Sequence, residues 1–121
     1  MATLTSTASS TILNWLFNGD AAASGQRWLA LDTNGSNTEC TDGSYARYDL
    51  TAAVPAATSG SLTSDVAISA NVGTQTVTHY RVVTTSNSST SVTLVNGALS
   101  TSKTGAFSIA IGDITGTAYG V

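Results

Sequence analysis

The sequence predicts a mainly β fold, either a β-sandwich or a jelly-roll-like barrel of six to seven short antiparallel strands, with one N-terminal helix. From position 27 onwards, short apolar stretches alternate with period 2, recur about every ten residues and are separated by turn-forming residues. The one stretch with helical periodicity precedes all of them. Because helices and strands do not alternate, an α/β fold is not expected.

The predicted helix covers residues 6–18. Its apolar residues fall at helical spacing: Ile12, Leu13, Leu16 and Phe17. Candidate N-caps are Thr7, Ser9 and Ser10. Asn18 and Gly19 form a stop signal, because glycine tolerates the left-handed cap conformation. A helix of about 12 residues is marginal alone, so we expect it to pack on its own sheet or on a neighbouring subunit.

The strands are predicted from alternation and from β-branched residues. Residues 27–32 (RWLALD) have two apolar faces, which indicates a strand covered on both sides. The longest β signal runs over residues 75–85, and residues 87–89 are predicted to turn the chain into the next strand. Further strands are expected at 45–50, 66–70, 91–95, 106–111 and 114–121. Residues 33–44 and 96–105 are expected to be loops, and 51–62 an extended loop or edge segment.

The composition is polar but poor in charge. Charged residues make up 9% of the chain, whereas there are 21 Thr and 17 Ser. The net charge is −3, and the four basic residues are scattered: Arg27, Arg47, Arg81 and Lys103. Since phosphate binding needs clustered Lys or Arg, no nucleic-acid partner is expected. A surface with few charges suits a protein that neighbouring proteins cover.

The length predicts a single domain over residues 1–121, with an N-terminal arm and helix at 1–18 and a β domain at 26–121. The single cysteine, Cys40, cannot form an internal disulfide, which is compatible with intracellular assembly. The apolar cluster at 12–17 is too short for a signal-peptide core or a membrane span, so no membrane partner is expected.

The residues that could take part in catalysis or metal binding do not form a recognisable site. His79 is the only histidine, and its mid-strand position favours a structural role over general-base catalysis. The loop at 33–44 and the aspartate before it carry oxygen ligands that suit calcium: Asp32, Asn34, Ser36, Asn37, Glu39 and Asp42. Their spacing does not match an EF-hand, and these residue types also form turns. Calcium binding stays open, and no catalytic, cofactor or metal site is predicted.

Several motifs follow one another through most of the chain. They are NWLFNGD at 14–20, RWLALDT at 27–33, GSYAR at 43–47, VTHY at 77–80, GALS at 97–100 with Lys103 and Thr104, and Gly112 with Asp113. In this order the chain resembles a family of small tailed-bacteriophage virion proteins, often labelled tail fibre or capsid decoration proteins.

The resemblance implies a non-enzymatic virion building block without a cofactor. The leading hypothesis is a capsid decoration (cement) protein, assembled in the host cytoplasm, that sits on the capsid surface as a homo-oligomer, a trimer, and bridges copies of the major capsid protein. The alternative is a tail fibre or tail tip component involved in host-surface recognition. A third class, a small carbohydrate-active enzyme, would need an acid pair in a cleft, and the sequence selects no such pair.

Five residues are predicted to act at an interface: Trp28, Tyr45, Arg47, His79 and Arg81. Tryptophan and arginine are frequent interface anchors, and the polar members alternate with small or apolar neighbours on predicted strands. We therefore expect them to organise the sheet or a seam between subunits. Arg47 is expected to pair with Asp49 or with a neighbouring subunit.

Overall fold

The computed structural model describes residues 3–20, 27–50, 61–63, 67–87, 91–109 and 115–117. Its strands are β1 (Thr3–Leu4), β2 (Trp28–Asp32), β3 (Tyr48–Asp49), β4 (Ser61–Thr63), β5 (Ile68–Val83), β6 (Thr93–Ile109) and β7 (Thr115–Thr117). Helix α1 (Ser6–Leu13) continues into a π-helical turn (Asn14–Asn18). The predicted mainly β fold with one N-terminal helix is confirmed.

The described strands form two antiparallel sheets. The larger has the order β1-β6-β5-β2-β3, and β4 pairs with β7 in a two-stranded sheet. The larger sheet is built on the long hairpin of β5 and β6, with 16 and 17 residues. The prediction that all strands are short is therefore wrong.

Residues 96–105 were expected to form a loop, but they lie inside β6. The side chains of Ala98, Ser100, Thr101, Ser102 and Thr104 are exposed, so this part of the strand has no apolar alternation to identify it. Residues 71–74, expected between two strands, likewise belong to β5. The predicted strand at 45–50 shrinks to β3. Most of 51–62, residues 88–89 of the predicted turn and most of 114–121 lie outside the described residues.

The helix begins at a threonine that is tied to the sheet. Thr5 Oγ1 accepts a hydrogen bond from the Ala8 N–H at 3.2 Å and donates to the Thr93 carbonyl at 2.7 Å, while the Thr5 N–H binds the Leu94 carbonyl at 2.9 Å. The predicted caps Thr7, Ser9 and Ser10 are therefore wrong, because pairing with β6 decides where the helix starts. The predicted stop is confirmed, since Gly19 has φ 76°.

The core lies mainly on one face of the large sheet. Its buried members are Leu29, Leu31, Cys40, Leu50, Ile68, Ala70, Val72, Val77 and Ile109. On the opposite face Ala30 and Val83 are also fully buried. Strand β2 is thus covered on both sides, as its two apolar faces predicted. Complete burial of a Val or Leu side chain stabilises the fold by about 1.5–3 kcal/mol.

The β5–β6 ladder contains an excursion that reaches a neighbouring loop. Asn71 pairs with Ala106 and Thr76 with Thr104, so four residues of β5 stand opposite Gly105 alone. In this excursion the Thr74 N–H donates to Asp42 Oδ2 at 3.1 Å. Gln75 Oε1 accepts from the backbone N–H groups of Thr41 at 2.7 Å and Asp42 at 3.0 Å. The excursion therefore fixes the loop that precedes β3.

Gly73 is required at the centre of this excursion. Its φ is +60°, and a Cβ atom there would overlap the carboxyl group of Asp42. We expect Gly73→Ala to lower the free energy of unfolding by about 1–3 kcal/mol, because alanine adds both backbone strain and a clash.

Gly43→Ala is the matched control, since Gly43 has no atom within 4 Å of its potential Cβ and no positive φ. Urea unfolding followed by circular dichroism measures both variants. If the two variants were equally stable, the folded excursion would not require glycine at position 73.

Candidate functional site

A buried ion pair lies on the face of the sheet opposite the main core. Asp32, at the end of β2, is 1% exposed. Arg81 Nε lies 2.6 Å from Asp32 Oδ2, and Arg81 Nη2 lies 2.8 Å from Oδ1. The register explains the contact: Ala30 pairs with Arg81 and Asp32 with His79, so alternation puts the two charged side chains on one face.

A second ion pair adjoins the first. Arg47 Nε and Nη2 each lie 2.7 Å from an oxygen of Glu39, in a bidentate arrangement. The Tyr45 hydroxyl donates to Glu39 Oε1 at 2.7 Å. Arg81 Nη2 stands 3.6 Å from Glu39 Oε2 and so connects the two pairs. We call Asp32, Glu39, Tyr45, Arg47 and Arg81 the charge network.

The charge network joins three separate parts of the chain. Arg47 Nη1 donates to the carbonyls of Thr85 at 3.0 Å and Asn87 at 2.7 Å, and to Ser91 Oγ at 3.0 Å. The Tyr45 hydroxyl accepts a hydrogen bond from the Leu31 N–H at 3.1 Å, on the part of β2 that does not pair with β3. The network therefore fastens the segment before β3 to the edge of β2 and to the connection between β5 and β6.

The network shifts the pKa values of three of its groups: Glu39, Tyr45 and Arg47. Burial by itself would raise the pKa of Glu39, but the hydrogen bonds from Arg47 and Tyr45 outweigh it and hold that pKa below 4.5. Burial and the bond to Glu39 raise the pKa of Tyr45, and the bond to Glu39 raises that of Arg47. General acid–base catalysis needs a pKa near the working pH, so this arrangement suits structural support.

The structure brings three of the five predicted interface residues together: Tyr45, Arg47 and Arg81. The other two lie apart from each other: Trp28 begins β2, and His79 on β5 stands opposite the last residue of β2. Trp28 pairs with Asp49 and Val83, whereas His79 stands opposite Asp32 and places Nδ1 2.8 Å from Thr78 Oγ1. The contacts within the chain agree with the sheet-organising alternative. A seam between subunits stays a prediction.

Sequence reasoning missed the acids that complete the network. Glu39 is the ion-pair partner that the structure gives Arg47, and Asp32 is that of Arg81, whereas both acids were considered as calcium ligands. Asp32 carried a usable signal, since an acid ending an apolar strand needs a cation when buried. Glu39 carried none, because its partner depends on how the loop folds.

Two of the remaining oxygen ligands of the loop, Asn34 and Asp42, also have protein partners. Asn34 Oδ1 accepts from the Ser36 N–H at 2.8 Å, as a turn former does, and Asp42 binds Ser44 and Thr74. Within the part of the chain that the structure describes, no three His, Cys, Asp or Glu side chains are grouped to hold a metal ion. The described part also contains no helix that is long and apolar enough to cross a membrane.

The fold and the charge network define a small β-rich structural domain whose polar side chains hold its own loops in place. Over residues 3–117 the sequence matches the family described as Podophage GP4 fiber I protein gp80. The chain therefore belongs to this family of tailed-phage virion proteins, which confirms the predicted resemblance and implies a place in the virion. No curated protein matches the chain.

Removal of one partner of the buried ion pair should be costly. Arg81→Met keeps most of the side-chain volume but leaves the Asp32 carboxylate buried without its cation. We expect the free energy of unfolding to fall by roughly 3–5 kcal/mol, measured by urea denaturation.

Lys103→Met on β6 removes the same charge outside the network and serves as the control. If Arg81→Met lowered the free energy of unfolding no more than Lys103→Met does, the ion pair would not be important for stability. Asp32→Leu combined with Arg81→Met should recover much of the loss, because no unpaired charge remains.

Stability should depend on pH through Glu39. Because folding lowers its pKa, Glu39 stabilises the fold above its ordinary pKa of 4.5, and this contribution disappears as the pH falls through the lower folded value. We expect the urea midpoint to fall with pH below 4.5, and Glu39→Gln to weaken this dependence. Asp20→Asn, at an exposed carboxyl outside the network, is the control. An unchanged pH profile in Glu39→Gln would refute the assignment.

Proposed function

We propose that this protein is a non-enzymatic structural component of a phage tail fibre, in which it packs against further copies of itself. The observation that carries the proposal is the match to a fibre protein family over residues 3–117. The sequence alone ranked capsid decoration first and a tail fibre second. The family match reverses that order, because its description is that of a fibre protein.

The charge network supports a structural role. Sugar hydrolysis by two acids requires one carboxyl group that can deliver a proton. Asp32 and Glu39 stand opposite each other in a β-bridge, and each carboxyl group is engaged in an ion pair with an arginine. Both acids are thus occupied in joining parts of the chain, which argues against the carbohydrate-active enzyme.

The few charges of the chain favour assembly. Four of its eleven charged residues belong to the charge network, so they are turned into the molecule rather than towards solvent. The remaining surface is rich in Ser and Thr, and such a surface can be covered by a neighbour with little loss of charge hydration. Repeated weak contacts between copies add up to a persistent assembly. A homo-oligomer would satisfy this arrangement, and host-surface recognition would follow from a place in the fibre.

The position of the protein on the particle tests the proposal. Cryo-electron microscopy of virions, with an antibody against this chain as the label, should place its density in fibres attached to the tail. Quantitative mass spectrometry of purified particles should then give far fewer copies than the major capsid protein has.

Regular density over the capsid faces, with hundreds of copies per particle, would refute the fibre proposal. That outcome would support capsid decoration instead, with the major capsid protein as the partner.

A further inference from the structure

The N-terminal helix covers the sheet with only part of its surface. Ala8 is its buried residue. The large apolar side chains that follow are open to solvent: Ile12 is 41% exposed, Leu13 54%, Trp15 50%, Leu16 57% and Phe17 84%. We call these five residues the apolar helix surface. The last three lie in the π-helical turn, a distortion that often marks a functional site.

The apolar helix surface is large enough for a protein interface. Its exposed side-chain area is on the order of 500 Å², at the upper end of the apolar patches that single soluble proteins carry. A stable interface of standard size buries about 800 Å² on each partner. The five side chains would therefore supply most of one half of such an interface, with the polar rim provided by neighbouring Ser and Thr residues.

The absence of charge points to a second copy of the chain as the occupant. Residues 3–18 contain no Asp, Glu, Lys, Arg or His. An uncharged apolar surface can meet an identical surface without burying an unpaired charge, whereas a charged partner would lose hydration and gain no counter-ion. A surface that complements itself is also what a symmetric contact between identical subunits requires.

The sheet beside the helix provides room for a side chain from the second copy. A cleft of about 260 Å³ lies between α1 and the sheet. Most of its lining is apolar, including Leu4, Ala8, Ile12, Val82 and Val95, and the charged Arg27 also lines it. Ile12 belongs to both the cleft and the apolar helix surface, so the two are continuous. An apolar side chain of a second copy would find a mainly apolar site there.

We propose that two copies of this chain associate helix against helix through the apolar helix surface. This inference rests on the proposed fibre function, because it identifies the contact by which copies of the chain pack together. It predicts that the isolated full-length chain associates in solution, without any other virion protein.

Sedimentation equilibrium of three purified proteins tests this contact. The wild type should have a mass of at least twice 12.2 kDa at concentrations up to roughly 100 μM. Leu16→Glu combined with Phe17→Glu should raise the dissociation constant at least about tenfold, because it places charge in the seam. Thr7→Glu puts a charge on the exposed polar side of α1 and should associate like the wild type. Circular dichroism verifies that all three fold.

Cysteine cross-linking provides a second measurement that does not depend on the charged variant folding. Cys40 is buried, so the wild type should not cross-link under mild oxidation. Leu13→Cys or Phe17→Cys should give a disulfide-linked dimer, in which two thiols lose two electrons and two protons to added diamide. Thr7→Cys should react much more slowly.

A monomeric wild type would overturn the inference. So would association that survives Leu16→Glu with Phe17→Glu, or cross-linking at Leu13 and Phe17 no faster than at Thr7. None of these results would affect the location of the protein on the particle. Failure of the helix contact is therefore distinguishable from failure of the fibre proposal.

Discussion

The pairing of two arginines with two carboxylates is the constraint on which the described structure depends. Asp32 ends a strand that is buried on both faces, and a carboxylate in that position needs a cation. Arg81 supplies it, and Glu39 connects Arg81 to Arg47. Since Arg47 also binds the carbonyls of Thr85 and Asn87, the same network positions the connection between the two long strands.

The loop before β3 is held from two sides by hydrogen bonds. On one side, the partly buried Glu39 and Tyr45 enter the charge network, where polar groups removed from water find partners within the protein. On the other side, Gln75 Oε1 in the excursion of β5 accepts from the backbone of the loop, and Asp42 Oδ2 in the loop accepts from the Thr74 N–H in the excursion. A segment that was predicted as a loop thereby becomes a fixed part of the sheet edge.

These internal contacts determine which part of the surface remains available to a partner. Four of the eleven charged residues of the chain pair with one another, and residues 3–18 contain no charged side chain. The helix therefore offers an uncharged surface for assembly, with large exposed apolar side chains. Such a surface fits a virion protein that is surrounded by copies of itself, and it agrees with membership of a phage fibre family.

The sequence by itself determined the mainly β class, the N-terminal helix with its stop at Gly19, and the burial of β2 on both faces. These features depend on local periodicity and on the conformational range of glycine, both of which act within a few residues. The family resemblance was also visible, because it rests on short motifs in a fixed order.

Only the tertiary structure decided that residues 96–105 extend a strand, that Thr5 caps the helix, and that Glu39 joins Arg47 to Arg81. Each of these depends on a partner outside the local segment: β5 for residues 96–105, β6 for Thr5, and for Glu39 both Arg47, eight residues on, and the distant Arg81 on β5. Hydrogen bonds and ion pairs between distant residues leave no periodic trace in the sequence, so their partners become visible only when the chain has folded.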